Sequence, residues 1–369
     1  MQQILRNNNQ KTIHPIFNEM DSFYVRTNSK PVAKRAKSTS LLLNKKPKYD
    51  ISLKALYDFF DEYGGVRYDF DFVDRKYEPL DLPKYDKRNI ILAFSGGKDS
   101  VAAALYLKEA DYNVYLYHLR NYNSVKDEYV QAEKLAKLLD MPLYVDSIKS
   151  LQKSEWGITH PLQSMVLYNR MIVYGIENNI GYQIACGDYM EESLKLDRDM
   201  FDMQASDTQE FVEAYHEVIR TILPNFDLTL CHNNRFDALN ILEQHPDILL
   251  ECQSCMCQQR FREYNRQQKM KKFNVKLMPN RCGGCLKCAI EYIYYADRGI
   301  LKLNEDYYMD CIRVLMKRAR QYTNKPTIEE VWSWYLGDDI SESVLYNRLL
   351  NLGGKRGKIR YEIMRLRET

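Results

Sequence analysis

Residues 95–100 read Ser-Gly-Gly-Lys-Asp-Ser, directly after the apolar run Asn89–Phe94 and before an amphipathic stretch from Val101 to Glu109. A strand that breaks into a glycine pair and then a helix is a phosphate cradle. Gly96 and Gly97 open backbone conformations closed to other residues and let amide N–H groups approach an anion. The helix start adds unpaired donors and the positive end of its dipole. Lys98 supplies a point charge, while Asp99 and Ser100 stand at the helix entrance, where side chains cap it, hold Mg²⁺ or touch a phosphate. The spacing is too short for the nucleotide loop G-x-x-x-x-G-K-[ST].

The cysteines form the second chemical group. Six of the nine lie between Cys252 and Cys288, a density that points to metal binding or catalysis in a chain with no secretory signature. Cys282-Gly-Gly-Cys285-Leu-Lys-Cys288 places three thiolates two residues apart, with Gly283 and Gly284 softening the turn between them. A tetrahedral site needs a fourth ligand. Cys255 is the first choice, with Cys252 and Cys257 as competitors in the same segment, and Zn²⁺ is the default ion for four sulfurs. An iron–sulfur cluster or unligated thiols are the alternatives. Cys186, Cys231 and Cys311 stand singly among apolar neighbours and read as small buried hydrophobes.

These groups need a frame. From Asn89 onward strands and helices alternate, the pattern of an α/β chain with a parallel sheet covered on both faces. Strands are expected at 90–94, 113–119, 143–145, 182–186 and 228–230. Helices are expected from Val101, at 125–139 (Tyr129, Leu135 and Leu138 inward), 165–178, 208–223 and 236–244. Ligands of such sheets bind outside the carboxyl ends of the strands. The loop at Ser95, the turn His118–Asn123 and the Gly187-Asp188 turn therefore face one crevice. Five segments are expected: a flexible basic arm over 1–48, an N-terminal extension over 49–87, the nucleotide domain over 88–250, a cysteine-rich segment over 251–295 and a helical extension over 296–369.

With this order in view, Ser95–Ser100 resembles the pyrophosphate loop of the N-type ATP pyrophosphatases, the PP-loop superfamily, which cleave ATP to AMP and pyrophosphate. The run continues with Asn169-Arg170 opening a helix, a strand ending at Gly187, then Asp207-Thr-Gln-Glu210-Phe211, then Ser254-Cys255 and the cysteine triplet. That order is similar to the 7-cyano-7-deazaguanine synthase family over residues 88 to about 295. The resemblance implies a Rossmann-like core, ATP and Mg²⁺ as cofactors and a structural Zn²⁺ on Cys255, Cys282, Cys285 and Cys288. It also implies a ligase that adenylates a carboxylate of a deazapurine and converts it to an amide and a nitrile. The spacing departs from that family, since 26 residues separate Cys255 from Cys282, including Arg260, Arg262, Lys269, Lys271 and Lys272. The triplet with Cys288-Ala-Ile-Glu-Tyr-Ile is also similar to the muramoyl-peptide glutamate epimerases, which activate a carboxylate with ATP.

On this reading Ser95, Lys98 and Asp99 are the catalytic residues. Ser95 to Ser100, His118, Arg170, Gly187 and Asp188 bind the nucleotide. Asp99, then Asp188 or a carboxylate of the acidic loop at 191–202, holds Mg²⁺; capping is the competing role of Asp188. Arg170 clamps a phosphate or the substrate carboxylate, or makes a surface ion pair. His118 meets the adenosine or is a satisfied half-buried histidine, and Trp156 and His160 stack a purine-like base or fill core. Two other readings stand beside the ligase. One is sulfur transfer to RNA or reduction of adenylyl sulfate, with Cys186 or Cys231 as the reactive thiol. The other is a nucleotide-binding assembly subunit whose basic termini grip protein or nucleic acid.

Composition sets the bounds. A 45% hydrophobic, 28% charged chain of 369 residues can bury a sizeable core, and its apolar runs are too short to span a bilayer. The polar Met1–Gln10 has no signal-peptide core, so the expected location is the cytoplasm, with no membrane partner and with homo-oligomerisation left open. The net charge of +3 argues neither for nor against nucleic acid, but basic residues collect at 30–48 and 355–367.

Overall fold

The computed structural model describes residues 13–27, 46–64, 68–120, 128–147, 162–189, 206, 208–232, 235–253, 255, 257, 259–320, 327, 330–332 and 336. The chain divides into two compact units. The first comprises 1–95, 99–195 and 202–234; the second comprises 96–98, 196–201 and 235–369.

The first unit is an α/β core. Its five strands are β3 (Asn89–Ala93), β4 (Asn113–Arg120), β5 (Leu143–Ser147), β6 (Ile184–Tyr189) and β7 (Leu228–His232), after β1 (Lys48–Asp50) and β2 (Asp71–Val73), which make a separate parallel pair. The core order is β5-β4-β3-β6-β7, parallel throughout. Ile90, Ile91 and Leu92 are all buried, as a central strand covered on both faces requires. After β5 the chain crosses to the other side of β3, so the topological switch lies between β3 and β6, where doubly wound sheets take their ligands.

Helices close both faces. They are α1 (Pro15–Thr27), α2 (Lys54–Gly64), α3 (Lys98–Glu109), α4 (Glu128–Leu139), α5 (Gln163–Glu177) and α6 (Gln209–Arg220). In α3 the run Val101-Ala-Ala-Ala-Leu105 is buried, its small side chains letting the helix lie close to the sheet. Thr208 caps α6, its side-chain oxygen accepting from Phe211 N at 3.3 Å. Helix α4 turns Gln131, Ala132, Leu135, Ala136 and Leu139 inward, whereas Leu138, expected inside, is 51% exposed. Leu135 and Leu139, four residues apart, lie on the inward stripe, and Leu138 falls beside it toward solvent.

The expected flexible arm over 1–48 is corrected by α1. Ile16, Phe17, Met20 and Phe23 on this helix are fully buried, and it packs on α5. Asp21 goes in with them. Burial pushes its carboxyl up to about 7, against the opposing pull of Asn169 and Arg170. The extension at 49–87 joins the same core through ring contacts such as Tyr49 with Phe23 and Phe59 with Phe211. Lys46, counted with the basic arm, pairs with Asp69 at 2.6 Å.

The second unit is helical: α7 (Arg235–Glu243), α8 (Pro246–Glu251), α9 (Gln259–Phe273), α10 (Leu286–Asp297) and α11 (Glu305–Ala319). The boundary expected at 250 thus falls earlier, at Arg235. Many of the 29 tyrosines are packing material. Tyr292 meets Tyr307 edge to face at 4.5 Å, and Tyr308 is fully buried.

Candidate functional site

The loop after β3 turns at Gly96, whose φ of +73° suits glycine, and α3 begins at Lys98. It is tied shut by its own serines. Ser95 N donates to Ser100 Oγ at 3.3 Å, and the two hydroxyl oxygens lie 3.4 Å apart. Lys98 is buried along its stem, and Asp99 stands in the first turn of the helix. The backbone and charges of an anion cradle are therefore present in residues 95–100.

Gly187 on β6 lies on the other side of the switch and lets that strand press against the entrance of α3. A Cβ at Gly187 would stand 2.6 Å from the Asp99 carbonyl carbon and oxygen and 2.7 Å from Ser100 N, all backbone. Gly187→Ala should therefore displace the start of α3, with an overpacking cost of about 1–3 kcal/mol and a loss of ATP turnover on the order of 100-fold. Thermal melting and pyrophosphate release check this together; a variant normal in both would mean that the loop does not depend on the contact.

His232 completes the support. At the end of β7 its Nε2 lies 3.0 Å from the Asp99 carbonyl oxygen, and the ring is buried. Sequence reasoning missed this residue, although a histidine closing a strand at the ligand edge was a usable signal.

Two expected binding residues, Arg170 and His118, make internal hydrogen bonds. Arg170 is buried, and its Nε donates to Asp146 Oδ2 at 2.9 Å while Tyr117 OH donates to the same oxygen at 2.8 Å. The guanidinium expected to clamp a phosphate, or to pair at the surface, instead makes a buried ion pair that locks α5 to the end of β5. Asn169 beside it accepts from Tyr215 OH at 2.9 Å. His118 is buried with Nδ1 2.9 Å from the Phe94 carbonyl, and burial lowers its pKa.

Asp188 lies in β6, not at a helix start, and accepts from Cys186 Sγ at 2.9 Å. This bears on the two thiols named for sulfur chemistry. Burial, then the Asp188 charge, pushes Cys186 well above the ordinary thiol range, and the same causes push Cys231 up to about 12. Both shifts disfavour the thiolate, the nucleophilic form. Trp156, His160, the turn at 121–127, the acidic loop at 191–202 and the basic segments at 30–45 and 355–367 lie outside the described residues.

In the second unit the sulfurs of Cys255, Cys282, Cys285 and Cys288 all lie within 4.8 Å of one another. Cys255 and Cys285 are 3.9 Å apart, Cys282 and Cys288 3.9 Å, and Cys285 and Cys288 3.4 Å. Four sulfurs about 2.3 Å from one zinc ion form a tetrahedron with edges of about 3.8 Å. The spacing fits a single ion; a multi-iron cluster would hold its thiolates farther apart.

Gly283, at φ +69°, makes the knuckle that brings Gly284 N to 3.4 Å from Cys282 Sγ, and Cys257 N donates likewise to Cys255 Sγ at 3.3 Å. Such donors favour thiolate. Four thiolates this close repel one another, and a divalent cation among them removes the conflict. The competing cysteines point elsewhere: Cys252 Sγ donates to Ile248 O at 3.3 Å, and Cys257 Sγ accepts from Asn265 Nδ2 at 3.4 Å. Behind the knuckle, Arg281 and Glu291 form a buried ion pair, and Tyr307 OH donates to Gly283 O at 2.9 Å.

Comparison with known proteins adds one relative. The chain is 37% identical over 83 residues to tRNA-5-methyluridine(54) 2-sulfurtransferase of Pyrococcus horikoshii, covering 21% of this chain and 26% of the relative. The likeness supports the PP-loop superfamily. It agrees with the parallel five-stranded core and carries no finer subfamily, since the match spans about a quarter of the relative's length. No family model matches the chain. No helix among the described residues is long and apolar enough to cross a membrane.

Proposed function

We propose that the chain is an ATP pyrophosphatase that adenylates an oxygen of its substrate, forming AMP and pyrophosphate. The observation that carries this reading is the Ser95–Ser100 loop at the switch between β3 and β6. The substrate oxygen attacks the α-phosphorus, a P–O bond forms there, and the bond to the leaving pyrophosphate breaks. Lys98 and the loop amides take up the charge growing on that leaving group. Asp99 is the carboxylate offered to Mg²⁺, which would supply further charge neutralisation. Positioning provides much of the rate.

The acceptor is read first as a carboxylate of a deazapurine-type molecule. Ammonia then attacks the acyl carbon, AMP leaves, and an amide results; a second round of activation gives the nitrile. The raised thiols of Cys186 and Cys231 support this reading over a cysteine relay. The second reading activates a nucleobase oxygen of RNA for replacement by sulfur, and the likeness to a tRNA 2-sulfurtransferase favours it. In both, Cys255, Cys282, Cys285 and Cys288 hold a structural Zn²⁺ that organises the second unit.

Incubation with ATP labelled at the α-phosphate separates the cases. AMP and pyrophosphate are expected with the right acceptor, offered as a panel of carboxylates with and without ammonia, and as unmodified tRNA with sulfide. ADP as the sole product would remove the adenylation mechanism.

A further inference from the structure

Helix α9 occupies the interval between Cys255 and Cys282, and its two faces differ in kind. One face is anchored. Arg262, itself buried, donates from Nη2 to Cys257 O at 3.2 Å, Asn265 Nδ2 donates to Cys257 Sγ at 3.4 Å, and Lys269 pairs with Asp310 of α11. Cys257 thus serves the helix rather than the four-sulfur group. These three positions recur at helical spacing, so the rotation of α9 about its own axis is determined.

The adjacent face, turned about 100° round the helix, carries Phe261, Tyr264, Gln268 and Lys271 at i, i+3, i+7 and i+10. Tyr264 is 61% exposed and Phe261 49% exposed, and Gln268 and Lys271 are exposed beside them. Two large aromatic rings one helical turn apart thus present apolar area to solvent. The charge beside them is positive. Of the seven basic side chains in 259–276, Arg262 is buried, Arg266 pairs with Glu263 at 2.8 Å, and Lys269 and Lys272 pair with Asp310, while Lys271 and Lys276 are exposed.

We infer that this face of α9 binds single-stranded nucleic acid. The rise along a helix puts Phe261 and Tyr264 about 4.5 Å apart along the axis and Lys271 about 10 Å beyond Tyr264. The two rings offer stacking faces to unpaired bases, and Lys271, with the exposed Lys276 after it, supplies charge for the phosphates beside them. Aromatic platforms beside a cationic track are how proteins hold single strands with little sequence preference. An acidic protein would use the lysines but leave the rings without a matched surface, and a bilayer would need an apolar face longer than two side chains. The inference does not depend on which oxygen the first unit activates.

The test uses the full-length, metal-loaded protein and fluorescence anisotropy with a mixed-sequence single-stranded RNA, the matching DNA and an RNA duplex. Single strands of either sugar are expected to bind more tightly than the duplex, with affinity falling as salt rises. Phe261→Ala/Tyr264→Ala should weaken single-strand binding tenfold or more at unchanged salt slope. Lys271→Ala/Lys276→Ala should lower the salt slope, by about 0.7 for each phosphate that is no longer neutralised. Because all four side chains are exposed, metal content and melting temperature should stay at the wild-type values, and so should ATP turnover. Single-strand binding unchanged within twofold in the aromatic variant would overturn the inference. So would no binding by the wild type, or equal binding of polyglutamate or anionic vesicles.

Discussion

Lys98→Ala is expected to abolish pyrophosphate release while leaving the melting curve in place. Lys98 is the first residue of α3, a position where alanine, the strongest helix former, keeps the helix start. Removing one preorganised donor from a site of developing negative charge typically costs 10²- to 10³-fold in rate, about 3–4 kcal/mol. A lysine facing two charged phosphates lies at the upper end of that range, so residual AMP formation should fall below one part in a thousand. Lys98→Arg keeps the charge but spreads it over a planar fork, and should recover only part of the rate. Full activity in Lys98→Ala, measured by AMP formation from labelled ATP, would refute the role of the loop.

The second large effect is expected at the four sulfurs. Metal analysis should find about one zinc per chain, and Cys285→Ser should lose it together with much of the stability of the second unit. Structural zinc binding in small domains carries about 10–16 kcal/mol of apparent free energy at neutral pH. The site is also wired into its surroundings. Cys285 opens α10, and the knuckle at Gly283 is held by Tyr307 from α11. Loss of the ion should therefore loosen both helices, and a chelator should reproduce the effect in the unsubstituted chain. A melting curve unchanged by substitution and by chelation would count against a structural site. Visible absorption with iron in place of zinc would replace the ion without moving the four ligands.

The parallel core was legible because its strands are short, mostly apolar runs separated by turn residues, and the Gly96-Gly97 pair falls just after β3. Helix α1 was not. Its buried stripe is short, and it sits in a segment whose Asn, Ser and Lys content masks it. What orders the stripe is a surface on α5, far along the chain, and no local pattern encodes that. The same limit applies at the site. The cysteine triplet could be read from spacing alone, because two-residue intervals bring sulfurs together whatever surrounds them. The choice among Cys252, Cys255 and Cys257 depends on which way each side chain turns, and that is set by Ile248 and Asn265. Arg170 looked available because its partner, Asp146, lies 24 residues away on a strand end. A guanidinium in a nucleotide fold is as readily spent on architecture as on substrate.

Helix α1 also has a consequence for how the molecule is made. It leaves the ribosome well before its seat on α5, which is more than a hundred residues downstream. Until that length has been synthesised, the apolar face of α1 lacks its partner on α5, and such waiting apolar surface is what chaperones hold and aggregates recruit. Helix α1 therefore reaches its seat only after β3, β4 and β5 have been made, and before β6 and β7 complete the sheet.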